Sequence, residues 1–142
     1  LIARSGTLTL AMARQLSAAG IGQSLAAHIG GDTVIGRNPD EYLTALATHD
    51  GTDAVLYCGE IGGDKEYALA EVVRGFRKPV VAMMVGRHAP AEKRMGHAGA
   101  LVGSAREGAD AKLAALAAAG CRVAAGSAQA VAILKELGLG EG

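Results

Sequence analysis

Short apolar runs alternate with amphipathic stretches along the whole chain, and this alternation constrains the fold more than any other feature of the sequence. Short runs of apolar residues are typical of buried strands, whereas apolar residues at helical spacing indicate amphipathic helices. Strands that alternate with helices favour a parallel sheet covered by helices. The predicted strands are residues 1–3, 25–29, 54–58, 80–85 and 122–124.

The stretches between these strands predict five helices, at about residues 7–19, 40–48, 65–76, 109–119 and 128–137. Five strands and five helices predict an α/β fold of the flavodoxin-like type, a three-layer sandwich whose five-stranded parallel sheet carries helices on both faces. The 142 residues suit one domain with a single core. Because Trp is absent and Phe76 is the only phenylalanine, small aliphatic side chains must fill that core.

Charge and cysteine usage exclude several classes of function. The 14 basic and 14 acidic residues are interspersed, so we expect no nucleic-acid partner and no membrane partner. No apolar run approaches the roughly 20 residues that span a bilayer, and no secretory leader is visible, so we predict a cytoplasmic protein. Cys58 and Cys121 lie in short apolar runs and are predicted to be buried reduced thiols. The four histidines lack metal-ligand spacing, so we expect no metal site.

Residues 93–101, Lys-Arg-Met-Gly-His-Ala-Gly-Ala-Leu, isolate one histidine between glycines. Gly96 and Gly99 leave the His97 ring free of bulky neighbours, and Lys93 and Arg94 just upstream favour an anionic reactant. An imidazole presented in this way can act as a nucleophile or a proton carrier. The alternative is a histidine that only stabilises its own loop.

The loops after the predicted strands are rich in glycine, and parallel sheets bind ligands at the carboxyl ends of their strands. After the first strand, Ser5, Gly6 and Thr7 open a helix whose free amides and dipole can bind a phosphate. Serine is also the ordinary residue at a helix start, so simple capping is the alternative for this segment.

A carboxylate, Glu60, lies between glycines where the third strand ends. It could accept a hydrogen bond from one ring nitrogen of His97, which would fix the tautomer and leave the other nitrogen as a nucleophile. The alternative is a solvated acid in a turn. The catalytic candidates are therefore His97 and Glu60, and the phosphate-binding candidates are the three residues at the helix start.

In their order and spacing, these segments together resemble the C-terminal ligase domain of the α subunit of succinate-CoA ligase (succinyl-CoA synthetase), a domain also found in ATP-citrate lyase. The resemblance covers nearly the whole chain, so residues 1–142 are expected to form one such domain. It rests on Arg-Ser-Gly-Thr-Leu-Thr at 4–9, the segments at 20–24 and 29–32, Gly-Glu-Ile-Gly-Gly at 59–63, and the segments at 78–81, 89–90 and 93–100.

The resemblance implies that His97 is a phosphohistidine, supported by Glu60, and that Ser5, Gly6 and Thr7 bind the phosphoryl group. The implied function is that of an NDP-forming acyl-CoA ligase, an acid-thiol ligase that passes a phosphoryl group from a nucleotide to a small carboxylic acid, by default succinate. CoA and a Mg-bound nucleoside triphosphate are then substrates held largely outside this chain. The implied partners are an ATP-grasp-type β subunit and a CoA-binding domain, in a hetero-oligomer.

Several features depart from the family's pattern. Its N-terminal CoA-binding domain is not among these residues and the chain begins with Leu1, so we expect a fragment, or half of a split subunit, that is inactive alone. Unusual residues near the histidine, namely His28, His88 and Glu92, motivate a second hypothesis of a non-catalytic interaction or phosphate-sensing module. A flavin-binding protein is disfavoured because few aromatic residues are available to stack on the ring.

Overall fold

Five parallel strands form one sheet in the computed structural model, which describes residues 1–88 and 96–140. Residues 89–95, which include Lys93, Arg94 and Glu92, lie outside the described residues, as do 141–142. The spatial order is β2-β1-β3-β4-β5, the flavodoxin-like order, so the predicted fold class is confirmed. The strands are β1 (Ile2–Ala3), β2 (Ala27–His28), β3 (Val55–Glu60), β4 (Val80–Val85) and β5 (Arg122–Ala124).

Helices cover both faces of the sheet, as predicted. Helices α1 and α5 pack on one face of the sheet, where Met12, Val81 and Ile133 belong to one core cluster. Helices α2, α3 and α4 pack on the other face, where Leu69 and Leu116 belong to a second core cluster. Successive strand residues point to opposite faces, so both clusters draw on β3 and β4. The helices are α1 (Gly6–Ala18), α2 (Pro39–Leu46), α3 (Lys65–Val73), α4 (Ala109–Ala119) and α5 (Ser127–Glu136), with a 3₁₀ turn at Ala105–Glu107.

The central strand β3 is buried along its whole length and extends further than the sequence predicts. Its ladder with β4 runs from Val55 opposite Val80 to Glu60 opposite Val85. The prediction ended this strand at residue 58. Because β4 offers partners for two more residues, Glu60 is the last residue of a buried strand instead of part of a solvated turn.

The edge strand β2 is shorter than predicted, two residues where the sequence indicated 25–29. Among the described residues its only neighbouring strand is β1, which itself has two residues, so pairing stops after Ile2 opposite Ala27 and Ala3 opposite His28. The end of α3 also differs: it lies at Val73, before the predicted residue 76, because the amides that follow close a tighter turn.

The order in which the strands are connected creates a crevice between the carboxyl ends of β1 and β3. From β1 the chain crosses one face through α1, and from β3 it crosses the other face through α3, so the two connections diverge at this point. The Arg4 amide donates to the Cys58 carbonyl at 3.0 Å, which ties the two strand ends together. Among the helices of the described residues, none is long and apolar enough to cross a membrane.

Candidate functional site

His97 and Glu60 form a hydrogen-bonded pair at this crevice. The distance from Nδ1 of the imidazole to Oε2 of the carboxylate is 2.7 Å. An ionised carboxylate only accepts hydrogen bonds, so Nδ1 is the donor and Nε2 of the neutral ring carries a free lone pair. The Glu60 side chain is 5% exposed and that of His97 is 37% exposed. The ring is therefore held from the buried side and is accessible from outside.

A buried arginine lies on the other side of the carboxylate. Nη2 of Arg4 is 3.2 Å from Oε1 of Glu60, and the arginine side chain is 2% exposed. The same guanidinium donates to the carbonyls of Gly30 at 2.9 Å and Asp32 at 3.3 Å. A buried carboxylate is costly without an opposite charge, so Arg4 supplies the charge balance that lets Glu60 face the imidazole.

Glycine backbone forms the surface against which the histidine packs. A Cβ added to Gly31 would lie 2.1 Å from Nδ1 of His97, and the Gly99 amide donates to the Gly31 carbonyl at 2.9 Å. Gly62 has a φ of 87°, and a Cβ there would lie 2.0 Å from the Gly99 carbonyl oxygen. The segment that carries His97 thus lies directly on the main chain of two neighbouring loops, with no room for a side chain between them.

The start of helix α1 provides amides without an intrahelical acceptor beside this pair. Ser5 is the N-cap residue, with extended backbone, and its Oγ accepts from the Leu8 amide at 3.4 Å. The amides of Gly6 and Thr7 are in the first turn, where no intrahelical acceptor exists, and the helix dipole adds positive charge there. Both interpretations of Ser5 are compatible: its oxygen caps the helix, and its hydroxyl proton is still available to an anion.

The His97 imidazole and the start of α1 line the same cleft, which has a volume of about 340 Å³. Four of the five predicted site residues line it, and the fifth, Gly6, belongs to the same helical turn. The cleft thus combines an imidazole nitrogen with a free lone pair, a carboxylate that orients the ring, and donors suited to an anion. Its lining residues are Ser5, Thr7, Leu8, Ala11, Glu60, Val85 and His97.

Two residues of this site, Arg4 and Gly31, were not predicted from the sequence. Arg4 was seen only as part of the segment that opens α1, although a cation directly after a buried strand signals a buried partner. Gly31 was noted only as a loop glycine, and its contact with the imidazole depends on a distance that no sequence pattern gives. The unusual residues His28 and His88 are exposed, and Arg87 forms an ion pair with Asp110 at 2.8 Å.

A family model described as CoA-ligase matches residues 2–134. This chain belongs to the CoA-ligase family. The α 1 subunit of an ADP-forming succinate-CoA ligase from Archaeoglobus fulgidus is 48% identical over 123 residues, which are 87% of this chain and 42% of that relative. The α subunit of an ADP-forming succinate-CoA ligase from Staphylococcus aureus is 44% identical over 125 residues, 87% of this chain and 41% of the relative.

Solved structures support the same membership of the CoA-ligase family. An ATP citrate lyase from Methanosaeta concilii, determined as a mutant in complex with (3S)-citryl-CoA, superposes with a TM-score of 0.89 and 26% identity. The match covers 96% of this chain and 23% of that one. The predicted resemblance to a ligase domain shared by succinate-CoA ligase α subunits and ATP-citrate lyase is confirmed, and this CoA-ligase chain spans less than half of those relatives' length.

Proposed function

We propose that this chain is the phosphohistidine-carrying domain of an NDP-forming acyl-CoA ligase similar to succinate-CoA ligase. The observation that carries the proposal is the 2.7 Å hydrogen bond between Nδ1 of His97 and Glu60, in a cleft shared with the start of α1. Because Nδ1 is engaged, Nε2 is the ring atom that accepts the phosphoryl group.

In the first half-reaction, the Nε2 lone pair of His97 attacks the γ-phosphorus of a nucleoside triphosphate held by a partner subunit. A P–N bond forms as the P–O bond to the departing nucleoside diphosphate breaks. The ring gains positive charge, which the Glu60 carboxylate stabilises through the Nδ1 proton. Arg4 holds that carboxylate in place, so little reorganisation accompanies the transfer.

The start of α1 binds the phosphoryl oxygens in this scheme. Phosphoryl transfer depends mainly on positioning and on stabilising negative charge, and the first-turn amides of Gly6 and Thr7 supply both. The Ser5 hydroxyl adds a third donor. The first turn of α1 contains no acidic side chain that would repel the anion.

In the second half-reaction, a carboxylate oxygen of the acyl substrate attacks the phosphorus. The P–N bond breaks, neutral His97 is restored, and an acyl phosphate forms. The CoA thiolate then attacks the acyl carbon and releases inorganic phosphate. Succinate is the default acid because the relatives are named succinate-CoA ligases.

The remaining binding sites belong to partners in this proposal. An ATP-grasp-type β subunit binds the Mg-nucleotide and a CoA-binding domain binds CoA, together with this chain in a hetero-oligomer. The chain alone is therefore inactive as a ligase. Support comes from the relatives, which are named as subunits and are more than twice as long as the matched region.

Intact mass spectrometry under neutral conditions tests the proposal. The chain is incubated with a succinate-CoA ligase β subunit and Mg-ATP or Mg-GTP, beside His97→Asn and the control His49→Asn. His49 precedes β3 at the opposite end of the sheet, where it bonds Thr52. We expect one phosphoryl adduct in the wild type and the control, and none in His97→Asn. An adduct in His97→Asn refutes the proposal. If the β subunit phosphorylates its own α subunit but leaves the wild-type form of this chain without an adduct, the non-catalytic module is favoured.

A further inference from the structure

A second buried ion pair lies directly behind the candidate site. Nζ of Lys112, in α4, is 2.6 Å from Oε2 of Glu66, in α3, and both side chains are 0% exposed. The Tyr57 hydroxyl donates to the other carboxylate oxygen of Glu66 at 2.7 Å. Burial raises the pKa of Tyr57 well above its ordinary value, and the Glu66 charge raises it further, so this hydroxyl keeps its proton.

Lys112 also binds the main chain at the end of β3. Its ammonium group donates to the Glu60 carbonyl at 3.0 Å and to the Gly62 carbonyl at 2.7 Å. An ammonium group has three protons, and Lys112 donates two of them to these carbonyls, while its contact with Glu66 is an ion pair. Lys112 thus holds the carbonyls of the two residues on either side of Ile61, at the end of β3 and in the turn that follows it.

We infer that Lys112 is a positioning residue for the Glu60–His97 pair, an inference that rests on the proposed function. By holding the Glu60 carbonyl, Lys112 fixes the backbone from which the carboxylate extends toward the imidazole. By holding the Gly62 carbonyl, it fixes the surface on which the histidine segment packs, because Gly62 lies against the Gly99 carbonyl. One buried cation thus locates both members of the pair.

The geometry distinguishes this role from simple stabilisation. A salt bridge between α3 and α4 requires only the Glu66 carboxylate, and buried ion pairs can often be replaced by apolar residues at no cost in stability. The two carbonyl contacts add nothing to the helix pair, but they immobilise the strand end that carries Glu60. A displacement of about 1 Å in a catalytic contact can reduce a rate on the order of 100-fold, so this restraint matters for transfer.

The test replaces both charges together, because Lys112→Met alone would leave Glu66 as an unpaired buried charge. Lys112→Met/Glu66→Gln removes the carbonyl contacts, and the control Tyr57→Phe removes only the distal hydrogen bond of the same network. If the methionine variant does not fold, Lys112→Gln/Glu66→Gln provides the comparison, since its amide is too short to bind both carbonyls. Thermal unfolding of each variant establishes that it is folded.

The first readout is nitrogen NMR of the His97 ring, which reports its tautomer without a partner or a nucleotide. We expect the wild type and Tyr57→Phe to carry the proton of the neutral ring on Nδ1, and the double variant to show a mixture of tautomers. An unchanged tautomer in the double variant overturns the inference. If the tautomer shifts in the double variant while no competent β subunit phosphorylates the wild-type chain, the positioning role is supported and the proposed function is rejected.

The second readout is the rate of phosphorylation in two backgrounds. We expect the double substitution to slow the wild type on the order of 100-fold. In a Glu60→Gln background the same substitution should cost less than about 3-fold, because the pair that Lys112 positions is already impaired. Equal losses in both backgrounds would mean that Lys112 acts on stability alone.

Discussion

An alanine at position 31 should displace the His97 ring and break its bond to Glu60. The added Cβ would lie 2.1 Å from Nδ1 and 2.2 Å from Cγ of the imidazole. Relaxed contacts between such atoms are about 3.5 Å, so the ring must retreat by roughly 1.4 Å. Nδ1 is the atom bonded to Oε2 at 2.7 Å, so a shift of that size at Nδ1 takes the hydrogen bond out of its present geometry.

The expected effect of Gly31→Ala is a large loss of rate with a moderate loss of stability. Misplacement by about 1 Å costs on the order of 100-fold in rate, whereas overpacking costs about 1 to 3 kcal/mol of the free energy of unfolding. The rate is measured as the initial formation of the phosphoryl adduct by intact mass in the presence of a β subunit. Urea unfolding of the same variant gives its stability.

Gly36→Ala is the matched control for this prediction. Gly36 lies in the same connection between β2 and α2, and a Cβ there would meet no heavy atom within 4 Å. We expect its phosphorylation rate to stay within about 2-fold of the wild type, since the contact with His97 is untouched. A folded Gly31→Ala variant that is phosphorylated at the wild-type rate would refute the view that the ring must occupy its observed position.

Three further predictions concern the charges and thiols. Glu60→Gln keeps the size of the side chain but loses its charge, so phosphorylation should slow about 100-fold, and a rate within about 3-fold of the wild type would contradict this. Arg4→Met leaves Glu60 buried without its cation and should lower the free energy of unfolding in urea by about 3 kcal/mol. Much of this loss should be recovered in Arg4→Met/Glu60→Gln, and equal stability of the two variants would argue against the ion pair. Burial raises the pKa of Cys58 to about 12 and that of Cys121 to about 11, from 9.0. Neither thiol should react with iodoacetamide at pH 8 until the chain unfolds. Because unfolded thiols lose their protons near pH 9 while folded ones keep them, stability should be unaffected below pH 9 and should fall as the pH rises toward 12. Rapid labelling of the folded chain, or flat stability over that range, would contradict the burial.

The sequence predicted the fold well because the alternation of apolar runs and amphipathic stretches is a local property. Strand lengths were less predictable, since they depend on the partner strand: β2 is limited by β1, while β3 is extended by β4. The pairing of Glu60 with His97 was predictable because both follow glycine at the loops where parallel strands end. Their distance, however, comes from the packing of loops far apart in sequence.

Lys112 was not predicted from the sequence because it lies within a helix, away from the loops where a parallel sheet binds its ligands. It shares the buried face of α4 with Ala109, Leu113 and Leu116, at spacings of three and four residues. Glu66 begins the same pattern in α3, followed by Leu69, Ala70 and Val73. A charged residue in an otherwise apolar helical stripe indicates a buried charge. When one chain has two such stripes, one carrying a cation and the other an anion, the sequence predicts that the two charges form a pair.

The glycine surface beneath His97 has a consequence for how such a protein can diversify. The imidazole is located by main-chain atoms at Gly31 and by the segment packed on Gly62. We expect substitutions at exposed positions such as His28 and His88 to leave these backbone contacts of the His97 ring in place. Redesign for a different acid should accordingly vary the exposed rim and leave the backbone beneath the ring unchanged.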